Sequence, residues 1–295
     1  MTMEWKDDEI LKQTFTTYSW SMRTLKRRLQ FFGITRTDKT ISPSVLLDAV
    51  KKEIETSGKL LGYRSMHRKL RNEENLFVAR NDVYLAMNLI APEYLEERQL
   101  INKRKKFRKR TFTSKGSNFV WSLDGHDKLM GRNKAQFPLA IHGCVDTFSR
   151  KILWLKNLAI KHYYIPNYTR SDRSSENVLI ATIQNYLHAS ESEKPNHLYG
   201  TSTSNQVIEQ WWRGFRERQG EFYKDLIHNL INNYYYDENA SNCRVLLAAL
   251  YIPIIQKDLD SFKNNWNVHR IRKQKIYRPC GVVRLLYEFP EQYGR

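Results

Sequence analysis

Phe119-Val120-Trp121-Ser122-Leu123-Asp124-Gly125 is a short apolar run that closes on an acid and a glycine. A run of this length, rich in β-branched and aromatic residues, reads as a buried strand. Working outward, the same pattern recurs over Phe119–Asp124, Pro138–Asp146 and Lys151–Lys156, the last two joined by the tight turn Thr147-Phe148-Ser149-Arg150. Tyr168-Thr169-Arg170-Ser171 reads as a fourth strand ending at Asp172, and His197-Leu198-Tyr199 as a short fifth. Asn177–His188 carries an apolar stripe at helical spacing (Val178, Ile180, Ala181, Ile183, Leu187). Val207–Tyr223 reads as a helix with Glu209 in its first turn, followed by helices over Lys224–Tyr235 and Cys243–Asn265 and an irregular tail, Pro279–Pro290.

The front of the chain has a different grammar. Residues 7–33 read as two short helices, the second running from Met22 to Phe32 with Gly33 as its stop. Arg23, Lys26, Arg27 and Arg28 form its outward face, while Leu25, Leu29 and Phe32 are assigned to packing. A second helical group opens at Ser42-Pro43, continues through Gly62–Leu70, and ends with a helix entered at Asn81-Asp82, with Arg80 and Asn81 at its start. Basic helices after short turns are what a helix-turn-helix offers to DNA, and a small helical bundle with a solvated charged face is the alternative. Ile101 to Arg110 then places seven cations in ten residues, namely Lys103, Arg104, Lys105, Lys106, Arg108, Lys109 and Arg110. Self-repulsion makes this tract a linker, and the same charge suits it to DNA phosphates or nuclear import. The expected organisation is therefore a helical region over 1–100, a basic linker over 101–118, an α/β core over 119–223 and a helical extension over 224–295.

Composition narrows the partners. Lysine and arginine outnumber aspartate and glutamate by 49 to 31 in 295 residues, a net charge of +18. An excess of that size favours a polyanion such as DNA, although a generally basic surface gives the same number. Cys144, Cys243 and Cys280 are odd in number and widely spaced, which suggests neither a disulfide framework nor a cysteine zinc site. No apolar run is long enough to span a bilayer, and the acidic N-terminus lacks a signal-peptide core, so an intracellular protein is expected.

Several segments together resemble one family. Trp121-Ser122-Leu123-Asp124-Gly125-His126-Asp127-Lys128-Leu129, Ile141-His142-Gly143-Cys144-Val145-Asp146 and Tyr199-Gly200-Thr201-Ser202-Thr203-Ser204-Asn205-Gln206 are similar to the integrase core of retroviral integrases and related transposases. Trp211-Trp212 and Trp266-Asn267-Val268-His269-Arg270 extend the likeness, which is greater still to integrase-core proteins of transposon origin in eukaryotic genomes. The resemblance implies a ribonuclease-H-like mixed five-stranded α/β sheet, its fourth strand parallel to the first, preceded by small all-α modules. It implies Asp124, Asp172 and Glu209 as the catalytic carboxylates, DNA as partner, a homo-oligomer, and a nuclear location. The 36 residues between Asp172 and Glu209 match the family's final gap.

The chemistry explains why carboxylates are needed. Cutting or joining a phosphodiester requires an activated oxygen nucleophile and a stabilised leaving oxygen, and two divalent cations about 3.5–4 Å apart serve both. Such hard cations, Mg²⁺ or Mn²⁺, take oxygen ligands. On this expectation Asp124 bridges the two cations, and Asp172 and Glu209 each hold one.

Ordinary duties compete with each assignment. An aspartate before glycine often belongs to a turn, and a glutamate in a first helical turn complements the helix dipole. Asp127 and Asp146 read as fold residues, Glu176 and Asn177 as a helix cap, and His126, His142 and His197 as strand or turn histidines. Trp211 and Trp212 are expected to bury one ring and expose the other. One departure from the family stands out: only 16 residues separate Leu155 from Asp172, and Pro166 interrupts them. The family helix that belongs there is expected to be missing. A catalytically silent, domesticated DNA-binding protein and a nuclease of the same fold are the alternative readings.

Overall fold

The computed structural model describes residues 20–96, 114–126, 141–156, 166–172, 177–188, 195–200, 206–237, 239–273 and 279–293. The chain divides into two compact units, residues 1–105 and 106–295. The helix expected before Ser19, the basic tract Lys103–Arg110, and the shortened 157–165 interval lie outside the described residues.

In the first unit, α1 (Met22–Phe31) begins at Ser21, whose hydroxyl accepts the N–H of Thr24, and ends before Gly33 at φ +62°. Leu25 is buried as expected, but Phe32 is 62% exposed. It is the C-cap residue, beyond the last regular turn, where the helical period no longer says which way a side chain faces. Then follow α2 (Pro43–Ile54), α3 (Tyr63–Glu73) and α4 (Arg80–Ile90). Val50, Met66, Leu70, Val83 and Met87 form their shared core. A buried ion pair, Lys69 Nζ to Glu53 Oε2 at 2.5 Å, ties α3 to α2.

The second unit is built on five strands: β1 (Val120–His126), β2 (Ile141–Asp146), β3 (Ile152–Lys156), β4 (Tyr168–Ser171) and β5 (His197–Tyr199). Their order is β3-β2-β1-β4-β5. β1–β2 and β2–β3 are antiparallel, while β4 runs parallel to both β1 and β5. This is the ribonuclease-H-like mixed sheet expected from the sequence, including the parallel placement of β4 beside β1.

Helices cover the sheet. α5 (Asn177–Leu187) follows β4 and sends Ile180 to a cluster with Trp121, Leu123, Cys144, Leu153 and Trp154. On the other face, α6 (Gln206–Phe215) lays Ile208, Trp211, Trp212 and Phe215 against Ile141, Val145, Ile152 and Leu155. The expected helix Val207–Tyr223 is in fact two helices. A π-helical turn at Arg216–Gly220 separates α6 from α7 (Glu221–Asn232). Both tryptophans are buried, at 2% and 4% exposed, so neither ring reaches the surface. The sheet takes one side of α6, and α8 (Ser241–Asn267) takes the other through Phe262, whose ring lies 5.5 Å from that of Trp211.

α8 also closes the outer edge of the sheet. Asn267 accepts the N–H of Ile152 and donates to its carbonyl, Gln256 donates to Leu155 O, and Trp266 Nε1 donates to Arg150 O. An unpaired strand edge is thereby satisfied by side chains. The tail is more ordered than its sequence suggests. β6 (Arg270–Ile271) pairs with β7 (Gly281–Val282), and α9 (Val283–Glu288) buries Val283 and Leu286 against Ile271. Two-residue strands and a six-residue helix are too short to show a period.

Asp146 is a fold residue, as read. It is fully buried and accepts the N–H groups of Asn118 and Ser149 and the Ser149 hydroxyl, which fastens the β2–β3 turn. Burial outweighs those donors and raises its carboxyl to about 6. A raised value favours the protonated form when folded, so its stabilising contribution is complete below about 4 and is lost as pH rises through about 6. The melting-temperature difference between parent and Asp146→Asn should therefore move in favour of the variant between pH 4 and 7. A constant difference refutes this.

Gly143 makes a second prediction. A methyl group there would lie 2.9 Å from Cζ2 of Trp212 and 3.1 Å from Cδ2 of Leu155. Gly143→Ala should destabilise the chain by about 1–3 kcal/mol, measured by chemical denaturation. Adding Trp212→Phe should recover part of that loss.

Candidate metal centre

β1 and β4 bring the two aspartates together. Ser122 pairs with Arg170 in the parallel register, and two residues further along each strand stand Asp124 and Asp172. Equivalent positions on adjacent parallel strands share a face. Alternation fixes which one. Leu123 packs into the cluster with Trp121 and Cys144, so Asp124 stands on the α6 side.

Glu209 arrives from α6. Ile208, Trp211, Trp212 and Phe215 form its buried stripe, and Glu209 lies at the flank of that stripe, one turn before Trp212. Across β1–β2, Asp124 is opposite Gly143. The ring of Trp212 occupies the space a side chain at 143 would need, so α6 approaches the sheet closely beside Asp124. Glu209 itself is exposed at the rim.

Electrostatics report the result. The Asp124 carboxyl is pushed up to about 7, first by burial, then by the charge of Glu209, then by that of Asp172. The N–H of Gly125 and the indole of Trp212 oppose the shift. Both other acids thus lie close enough to repel Asp124, with burial weakening the screening between them. Among the described residues, no three His, Cys, Asp or Glu side chains are already drawn into a cation-holding group. The donor chemistry nevertheless fits a hard divalent cation: three carboxylates, one of them half-buried, with mutual repulsion that a positive charge relieves.

Sequence reading missed a supporting network. His197 is buried on β5; its Nδ1 lies 2.8 Å from Thr169 Oγ1 and its Nε2 3.0 Å from Ser171 Oγ. Ser171 Oγ spends its proton on the carbonyl of Asp172 at 3.0 Å. Nε2 must therefore donate to Ser171, and Nδ1 must accept from Thr169. Burial lowers the imidazole's pKa, consistent with this neutral form. The network holds the end of β4, where Asp172 leaves the sheet, against β5. Only the alternation Thr169-x-Ser171 hinted at it. His142 is a strand histidine, accepting from Trp154 Nε1 at 3.4 Å.

The expected nucleic-acid contacts divide into three sets. Arg23, Lys26 and Arg27 are exposed on α1, and Arg80 and Asn81 are exposed in the first turn of α4. Lys103, Arg104, Lys105, Lys106, Arg108, Lys109 and Arg110 are outside the described residues, as are Asp127 and Glu176.

Comparison with known proteins agrees with this architecture. No curated protein sequence matches the chain. A family model described as integrase core domain matches residues 111–286, which takes in the whole five-stranded sheet, the three acids and helices α5 to α8. The chain belongs to the integrase core domain family.

Proposed function

We propose that this chain binds DNA and that Asp124, Asp172 and Glu209 hold divalent cations, Mg²⁺ or Mn²⁺, for phosphodiester cleavage and strand transfer. The reading rests on the adjacent parallel register of β1 and β4 at Asp124 and Asp172 and on the close seat of α6 beside Gly143, with Asp124 raised first by burial and then by both of the other acids. When bound, a divalent cation supplies neutralisation of charge at the attacking and leaving oxygens. The chain's own part is placement. β1 and β4 fix two carboxylates side by side, and the Trp212 contact on Gly143 sets the depth at which α6 presents the third. Burial of Asp124 excludes bulk water from one side of the site, which strengthens its interactions with cations and with the reacting phosphate. The nucleophile is water in cleavage and a DNA 3′-hydroxyl in strand transfer.

The basic tract and the front helices supply the grip on DNA, and the tract also suits nuclear import. Self-association belongs to the same reading. The outward row Val245, Leu246, Leu250 and Ile254 of α8 offers apolar area for a second copy. A monomer by light scattering at working concentration would end that part. Among the described residues, no helix is long and apolar enough to cross a membrane.

A second reading, a DNA-binding protein without chemistry, is favoured by the acids not being gathered into a cation-holding group among the described residues. Nicking and strand-transfer assays with Mg²⁺ or Mn²⁺ separate the two. Asp124→Asn and Glu209→Gln should each lower the rate at least 100-fold while leaving DNA affinity unchanged. Equal rates in parent and variants end the catalytic assignment, and salt-sensitive binding without turnover in any of them supports the second reading. Turnover confined to an RNA–DNA hybrid would make the protein a nuclease of the same fold.

A further inference from the structure

The outer face of α3 is arginine-rich. On a helical wheel Arg64, Arg68 and Arg71 fall on one side, opposite Met66, Lys69 and Leu70, which are buried. Arg71 is committed locally, donating to Arg36 O at 3.2 Å with its guanidinium over the Phe77 ring. Arg64 and Arg68 are held differently. Arg64 Nε donates to Tyr63 Oη at 3.1 Å, and Arg68 makes a long contact, 3.4 Å, to Ser65 Oγ. The Nε of Arg68 is buried without a partner among the described residues.

The α3–α4 connection adds a third cation. His67 Nε2 lies 3.1 Å from Val78 O, which folds the connection back along α3, and α4 starts two residues later at Arg80. Arg68 is pushed down to about 10, first by burial and then by Arg80 and Arg64, so the three guanidiniums are neighbours. His67 is also held in its neutral form, by burial and then by Arg80, Arg71 and Arg68. Among the described residues, no carboxylate pairs with Arg64, Arg68 or Arg80; Glu74 is engaged by Lys52, and Glu53 and Glu73 by Lys69. Arg64 and Arg80 each sit in the first turn of a helix that lacks a side-chain cap, so two positive helix ends lie close to the cluster.

We propose that Arg64, Arg68 and Arg80 form a phosphate-binding site that grips the backbone of duplex DNA. It deepens, and rests on, the DNA-binding reading above. A half-buried cation with a buried open donor and two like-charged neighbours is unfavourable alone, and an anion between them removes the repulsion and fills the donor. Arginine suits this task because its fork bonds two phosphate oxygens at once. The site places α3 and the first turn of α4 against the strand. Beyond Arg80 the exposed face of α4 is Asn81, Asp82, Leu85, Asn88 and Leu89, which carries an acid and two apolar side chains and no further cation.

The test uses the full chain and a labelled duplex of random sequence, with affinity measured against KCl concentration. The double variant Arg64→Gln/Arg80→Gln removes two exposed cations, and its circular-dichroism melt should lie no lower than the parent's because repulsion on Arg68 falls. Lys39→Gln/Lys51→Gln, which removes the same charge from elsewhere in this unit, is the control. Loss of two phosphate contacts should flatten the slope of log affinity against log salt by about 2. The control should change it by less than a quarter of that. Equal slopes in the two double variants overturn the site while leaving DNA binding standing. A parent that binds no duplex overturns the DNA reading and the site together. Inorganic phosphate that raises the melting temperature of the parent but not of the arginine variant, with duplex affinity unchanged, assigns the site to a free anion and overturns the DNA assignment.

Discussion

The structure of the sheet unit depends on the contact between the Trp212 ring and the bare backbone of Gly143. An indole can lie flat on a strand only where no side chain stands in its way, and the clearance at Gly143 is less than a methyl group needs. That contact draws α6 onto the sheet beside β1. Glu209, one turn ahead of Trp212, is thereby carried to the rim of the position Asp124 occupies. The rest of the face follows from the same seat, because Trp211 and Phe215 then pack on Phe262 of α8. Through Asn267, Gln256 and Trp266, α8 in turn closes the edge of β3.

Each unit brings like charges together. In the sheet unit Asp124 is repelled by Glu209 and Asp172. In the helical unit Arg68 is repelled by Arg64 and Arg80. Folding on its own disfavours such clusters, since burial weakens screening by water and leaves the repulsion standing. Elsewhere the chain pairs its buried charges: Lys69 with Glu53, and Asp146 with three donors. Like-charge clusters with shifted proton affinities are a usual mark of sites that meet a charge from outside the chain.

Periodicity and punctuation were enough to find the five strands and to set Asp172 at the end of β4. Their order and the parallel step from β1 to β4 agree with what the family resemblance implied. What failed did so for identifiable reasons. Phe32 lies past the last helical turn, where the period ends. The division between α6 and α7 is a π turn, which leaves the apolar pattern unbroken. The order in the 281–288 tail comes from pairing with Arg270–Ile271, a contact with no local signature. The second tryptophan is buried because two layers, the sheet and α8, close on α6 from both sides.

The sequence by itself determined which side chains could do chemistry. Three carboxylates at strand and helix ends, a basic front and a family-like arrangement of motifs are properties of composition and order along the chain. Tertiary structure alone decided that Asp124 feels the charges of Glu209 and Asp172, that His197 locks the end of β4, and that Arg68 feels those of Arg80 and Arg64. The reason is physical: repulsion, burial and hydrogen bonding depend on distances through space. Residues up to 85 positions apart along the chain acquire those distances only when the sheet closes and the helices seat.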